Sequence, residues 1–99
     1  MSVHKVATSG NTVSSTMSVN TENIHDGLCR QLMIYSASSD TVYDANIIDD
    51  KNRTVREFFD ITFKINDLTT FPVSGIYTVE VTNSSADELF TAYMGIQEG

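Results

Sequence analysis

From Leu28 onward, apolar residues return at every second position in short runs, and polar clusters separate the runs. That period puts alternate side chains on opposite faces of an extended strand, so one face of each run can be buried. Leu28, Leu32 and Ile34 alternate with Cys29, Gln31, Met33 and Tyr35, which makes both faces partly apolar, as in a central strand. Ser36-Ala37-Ser38-Ser39-Asp40 breaks the run. Tyr43, Ala45 and Ile47 then share one face, with Val42 and Ile48 on the other. Asp49-Asp50-Lys51-Asn52-Arg53 reads as a turn, because Asp and Asn bond their own backbone and tolerate left-handed conformations. Val55, Phe59, Ile61, Phe63 and Ile65 line one face of what reads as the clearest long strand, opposite Arg56, Asp60, Thr62 and Lys64.

Asn66-Asp67 ends that strand, and Pro72 marks a connection or an edge position, since proline cannot donate to a central ladder. After Ser74-Gly75, Tyr77, Val79 and Val81 face one way and Ile76, Thr78, Glu80 and Thr82 the other. Beyond the turn at residues 83–87, Phe90, Ala92, Met94 and Ile96 alternate with Leu89, Thr91, Tyr93 and Gly95. This last segment admits a second reading. Ser85 and Glu88 have capping-box spacing, and Leu89, Phe90, Tyr93 and Met94 would form a helical face. Gly95 comes too soon for a long helix, and the hairpin context favours the strand. With no convincing βαβ unit, the pattern predicts an all-β fold, an antiparallel β-sandwich of about six to seven strands.

Residues 1–27 differ in kind, because twelve of them are Ser, Thr or Asn. Such side chains compete for backbone hydrogen bonds and offer little area to bury. Val13, Met17 and Val19 nevertheless keep the period of two. Residues 1–12 therefore read as an extended polar arm and residues 13–99 as the sandwich domain, beginning with a strand over 13–20. Such an arm lies along its own domain or docks on a neighbour. Docking would add a strand to a neighbour's sheet edge, with Val3, Val6, Val13, Met17 and Val19 as the partner-interface anchors. On that reading, removal of residues 1–20 leaves a folded domain that assembles poorly.

With 99 residues, the chain can bury only about two-thirds of its unfolded surface, enough for one modest core. No apolar run approaches the roughly 20 residues of a membrane-spanning helix, and Met1-Ser2-Val3-His4-Lys5 leads into polar sequence unlike an apolar leader. Thirteen acidic residues against six basic ones give a formal charge of -7, concentrated after residue 39. An acidic surface without a basic stripe repels phosphate backbones and anionic membranes, so neither nucleic acid nor membrane is expected as a partner. Neutral or basic proteins fit better.

Catalytic chemistry finds little footing. Cys29 and His25 are the one nearby nucleophile–base pair, and a free cysteine is more often a small buried hydrophobe. Asp40, Asp44, Asp49 and Asp50 could converge on calcium, but Lys51 and Arg53 sit inside the stretch and the glycine of a calcium loop is missing. His4 and His25 lack partners at metal spacing. Asn52-Arg53-Thr54 and Asn83-Ser84-Ser85 match the glycosylation acceptor pattern at ordinary turns. An acidic pair for glycoside hydrolysis would need a cleft that a small sandwich without tryptophan is poorly equipped to form. The expectation is a non-enzyme with no catalytic residue, no cofactor and no metal.

Ser74-Gly75-Ile76-Tyr77-Thr78-Val79-Glu80-Val81, followed by Ala86-Asp87-Glu88-Leu89-Phe90 and preceded by Asp60-Ile61-Thr62-Phe63, resembles the short β-sandwich structural proteins of tailed bacteriophages. The resemblance covers about residues 28–98, and Gly-Ile-Tyr-Thr-Val also suits many immunoglobulin-like domains. It implies a virion component on the capsid surface: a capsid decoration (cement) protein, contacting the major capsid protein or other virion proteins as a homo-oligomer, a trimer or similar ring. A head–tail connector or tail piece is the next expectation. A surface module for glycans or a receptor is the third, and it would need exposed aromatics such as Tyr35, Tyr43 or Tyr93.

Overall fold

The computed structural model describes residues 2–11, 16–68, 70–83 and 88–98. The described residues hold nine strands and no helix: β1 (Ser2–Asn11), β2 (Thr16–Asn20), β3 (Ile24–Ser36), β4 (Val42–Ile48), β5 (Thr54–Thr62), β6 (Lys64–Asp67), β7 (Phe71–Gly75), β8 (Thr78–Asn83) and β9 (Leu89–Glu98). Every pairing is antiparallel. One sheet runs β1-β9-β3, and β6 and β7 share the far side of β3. The other runs β2-β8-β4-β5. The expected antiparallel β-sandwich is therefore the fold, and residues 89–94 are strand rather than helix.

Alternation explains β4, β8 and β9 directly. Tyr43, Ala45 and Ile47 point inward from β4, Val79 and Val81 from β8, and Phe90, Ala92, Met94 and Ile96 from β9. Pro72 sits on β7, whose one partner among the described residues is β3, so its missing N–H costs no ladder bond on a second side.

Two strands depart from the expected pattern, each at a bulge. In β3, Cys29 faces Ile96 and Gln31 faces Gly95, which leaves Arg30 as an extra residue. The phase slips by one, so Cys29 is buried together with Leu32 and Ile34, whereas Leu28 is 40% exposed. In β5, Ile61 pairs with Tyr43 and Phe58 with Ala45, three residues against two. Asp60 takes φ +53 within this bulge, and its N–H donates to Asp44 Oδ1 at 2.9 Å. Phe58 and Ile61 consequently pack on the core, and Phe59, expected inside, is 63% exposed.

The long strand expected over 55–65 is also two strands in two sheets. The chain changes sheet at Phe63, whose φ of +65 is costly for a bulky side chain by about 1–2 kcal/mol. The strain is offset by hydrogen bonds. Phe63 N–H donates to Thr41 O at 3.0 Å, and Phe63 O accepts from Ser36 N–H at 3.0 Å. The Tyr43 hydroxyl lies 3.2 Å from the same Phe63 oxygen and 3.1 Å from Ile34 O, so one phenol ties β4 to β3 and to the sheet switch. Its ring packs edge-on against Phe90, with centroids 4.8 Å apart.

The N-terminal segment is used within the chain. β1 pairs with β9 over its whole length and β2 with β8. Met17 is 3% exposed in the core, and Val19 packs against it. These two residues are therefore core anchors of this domain rather than anchors for a neighbour. Removal of residues 1–20 should then lower the unfolding temperature instead of leaving the domain intact. Met17→Ala alone should cost about 2–5 kcal/mol in denaturant unfolding, the range for emptying a buried methionine site.

Burial pushes the Cys29 thiol up from 9.0 to about 11 and the Tyr43 phenol from 10.0 to about 12. Both groups hold their protons more tightly when folded, so the stability they contribute is complete below pH 9 and is lost as pH rises toward 12. Tyr43→Phe should remove the upper part of this alkaline loss, and at neutral pH it should cost about 1 kcal/mol for the missing hydrogen bond. Denaturant unfolding at a series of pH values measures both.

Candidate interaction surfaces

The residues singled out for chemistry are spread apart. Cys29 is fully buried with its Sγ 3.4 Å from Gln31 O, and His25 is on the exposed surface of β3. A thiol in that position is a core hydrophobe, as its sequence context suggested.

Asp49 serves the β4–β5 turn. Its N–H donates to Arg53 O at 2.9 Å, and its O accepts from Asn52 N–H at 3.1 Å. Its Oδ1 accepts from the N–H groups of Lys51 (3.0 Å) and Arg53 (2.8 Å), and its Oδ2 from Arg53 Nε (2.9 Å). Asn52 sits at φ +62, the left-handed conformation that the turn composition predicts. The Asp44 carboxylate is occupied at the Asp60 bulge. Asp50 lies against Gly75, where φ is +93 and any Cβ would overlap that carboxylate. Asp44, Asp49 and Asp50 thus serve separate positions, and no group of three or more His, Cys, Asp and Glu among the described residues is arranged to hold a metal.

Hydrogen bonds from the Arg53 backbone, followed by those from its side chain and from Lys51 N–H, hold the Asp49 carboxyl below its ordinary 3.8. A depressed carboxyl contributes stability that is present above 3.8 and lost as pH falls through the folded value. Asp49→Ala should therefore lower the unfolding midpoint at neutral pH. The gap to the parent should close as the solution is acidified below 3.8, as thermal unfolding across that range will measure.

Of the expected interface anchors, Val3 and Val6 lie in β1, opposite Gln97 and Met94, and Val13 is outside the described residues. A different surface emerges at the Val42 end of the β4–β5 pair. Phe59, Val42 and Phe63 are all exposed there, where Val42 pairs with Thr62 and Phe63 N–H bonds to Thr41. Asp44 and Asp60 sit at the same bulge and, with Val42, line a depression of about 280 Å³. An apolar anchor beside acidic groups can dock a partner. The signal for it was present in the β5 apolar excess, Phe58 and Phe59 in succession, since two adjacent residues cannot both face one core without a bulge.

The other edge of β5 is occupied. Arg56 stacks over the Phe71 ring at 4.4 Å and reaches Asp67 at 3.8 Å, which links β5 to β7 and β6 across the two sheets. Of the tyrosines, Tyr43 is buried, while Tyr35 and Tyr93 are half-buried on the outer face of the first sheet.

No protein family and no curated protein matches the chain. Among solved structures it is similar to PliG of Aeromonas hydrophila, a periplasmic inhibitor of g-type lysozyme. The two share 13% identity over 96% of this chain and 86% of that one, with a TM-score of 0.54. That likeness extends to the fold. Infectious bursal disease virus, Gt strain, matches at 11% identity over 96% of this chain and 32% of that one, with a TM-score of 0.47. A family two carbohydrate esterase from Cellvibrio japonicus matches at 14% identity over 97% and 34%, with a TM-score of 0.40. At those scores neither informs the function of this chain.

Proposed function

We propose that this chain is a non-enzymatic structural component of a virion, a capsid decoration protein of a tailed phage that docks on the shell as a homo-oligomer. The observation that carries the reading is the corner at Phe59. A phenylalanine 63% exposed at the Asp60 bulge, with Val42 and Phe63 also exposed at the same end of the β4–β5 pair, is apolar area that a monomer in water gains nothing by displaying. Large aromatics surrounded by polar groups are the usual anchors of protein interfaces. The neighbouring Asp44 and Asp60, on a chain of net charge -7, suit a partner whose apolar pocket is rimmed by Lys or Arg. The phage assignment rests on the resemblance of residues 60–63, 74–81 and 86–90, and the sandwich is compatible with it. A domain this small gains from symmetric interfaces what its own core cannot supply.

Quantitative mass spectrometry of purified particles, scaled to the major shell protein, tests the assignment. About one copy per shell subunit, or a simple large fraction of it, is expected for decoration. A dozen or so copies would move the protein to the neck or tail, where rings occupy one vertex. Absence from particles, or inhibition of a g-type lysozyme by the purified chain, would overturn the virion reading. Phe59→Ser should leave the unfolding free energy within about 0.5 kcal/mol of the parent, as exposed sites do. It should also cut incorporation into particles in a competition with unmodified protein.

A further inference from the structure

On the outer face of the first sheet, well away from the Phe59 corner in sequence, a depression of about 410 Å³ is lined by Arg30, Gln31, Leu68, Tyr93, Gly95 and Gln97, with Ile96 beneath. Its floor is made by a missing side chain. A Cβ placed on Gly95 would lie 3.5 Å from Gln31 Cβ and 3.6 Å from both Cε1 and the hydroxyl of Tyr93, so the tyrosine ring leans across the glycine. The Arg30 bulge supplies one wall, and Leu68, 65% exposed, supplies another. Around the ring stand planar hydrogen-bonding groups already held in place by one another. Arg30 donates to Gln97 Oε1, and Gln31 Nε2 donates to Asn66 Oδ1 at 3.1 Å. Each pair retains further donors and acceptors, because a guanidinium and three amides have more capacity than these two bonds use.

We infer that this groove is a saccharide-binding site, with Tyr93 as the stacking platform and Arg30, Gln31 and Gln97 as the hydroxyl-reading groups. A sugar ring presents an apolar C–H face and a rim of paired hydroxyls. An aromatic plate flanked by planar amides and a guanidinium matches both, and sites of this kind combine an apolar floor with a few fixed polar groups. Among the described side chains lining the groove the one charged group is a cation, Arg30, so neutral and uronic sugars are admitted, while the net charge of -7 opposes the denser charge of highly sulfated ones. A peptide strand would need a free sheet edge for its backbone. Here the floor is the middle of a ladder, since β9 is paired on both sides with β1 and β3.

Titration of isotopically labelled chain by NMR with cellotetraose, chitotetraose, maltotetraose and tetragalacturonate tests this independently of any particle. At least one probe should give saturable shifts confined to the amides of Arg30, Gln31, Leu68, Gly95 and Gln97. Tyr93→Ala should weaken that probe by about tenfold, the loss expected of one stacked ring, while Tyr93→Phe and Phe59→Ser should leave it unchanged. If Tyr93→Ala disturbs the fold, Gln97→Ala, at a half-buried position on the same face, should give a comparable loss. No saturable shift with any of the four sugars, or shifts that map elsewhere or survive Tyr93→Ala in a folded protein, would overturn the site.

Discussion

The Tyr43 hydroxyl and the left-handed Phe63 form one device, and the two sheets depend on it. Phe63 must reverse the chain from one sheet to the other within a single residue, in a conformation that a phenylalanine avoids. It stays there because its N–H and C=O are both bonded, to Thr41 and to Ser36, and because the buried phenol adds a second contact to the same oxygen. Ser36 ends β3 and Thr41 precedes β4, so the switch also fixes the loop between them. Ala37 N–H bonds to Leu89 O at 2.9 Å and Ser38 N–H to Glu88 Oε1 at 2.9 Å, which ties that loop to the start of β9. Three connections therefore converge where one side chain from β4 crosses the core. A buried hydroxyl leaves a core only with its partners, and this one has two.

Much of this was open to reading from the residues, and the failures have a common cause. Where a strand advances one residue per pairing step, as β4, β8 and β9 largely do inside the core, alternation identifies the inward side chains. The turn at 49–53 was equally readable, since Asp49 and Asn52 carry the chemistry that closes it. Arg30 and Asp60 defeat the count because each inserts one residue, and a shift of one exchanges the faces of everything beyond it. Neither position is a glycine or an asparagine, so composition does not flag them. Phe63 is hidden more deeply, for an apolar residue in register at 59, 61, 63 and 65 is what a continuous strand would also show. Met17 and Val19 keep the period of two, but that pattern does not say whether their own domain or a neighbour covers the face they share. A Ser/Thr-rich segment earns its place by pairing with β8, a long-range contact that local composition does not encode.

The candidate surfaces arise from the same irregularities. A regular ladder places apolar side chains in and polar ones out, leaving nothing distinctive on its outer face. The Asp60 bulge turns Phe58 inward and so forces Phe59 outward, beside the acidic groups that hold the bulge closed. The Arg30 bulge buries Cys29 and brings a guanidinium to the rim of the glycine hollow beneath Tyr93. In both places the residue that breaks the alternation is the one that gives the surface its chemistry. Bulges recur in this role because they re-aim a side chain without dismantling the sheet.

The edges narrow how such surfaces can be used. β5 is bulged twice and its Arg56 is drawn across to Phe71 and Asp67, while β7 carries Pro72. Bulges, proline and inward charges are the means by which sheets avoid pairing with other chains. β1, the segment that looked most able to lend a strand to a neighbour, is paired along its length with β9. Lending β1 to a neighbour's sheet would first break its ladder with β9, and adding a strand along β5 would mean straightening its bulges. Docking through an exposed side chain at a corner requires neither, and stacking on a flat ring in mid-sheet requires neither. At β5 and β7 these constraints oppose strand addition, whereas β1 and β2 each pair with a single neighbour among the described strands.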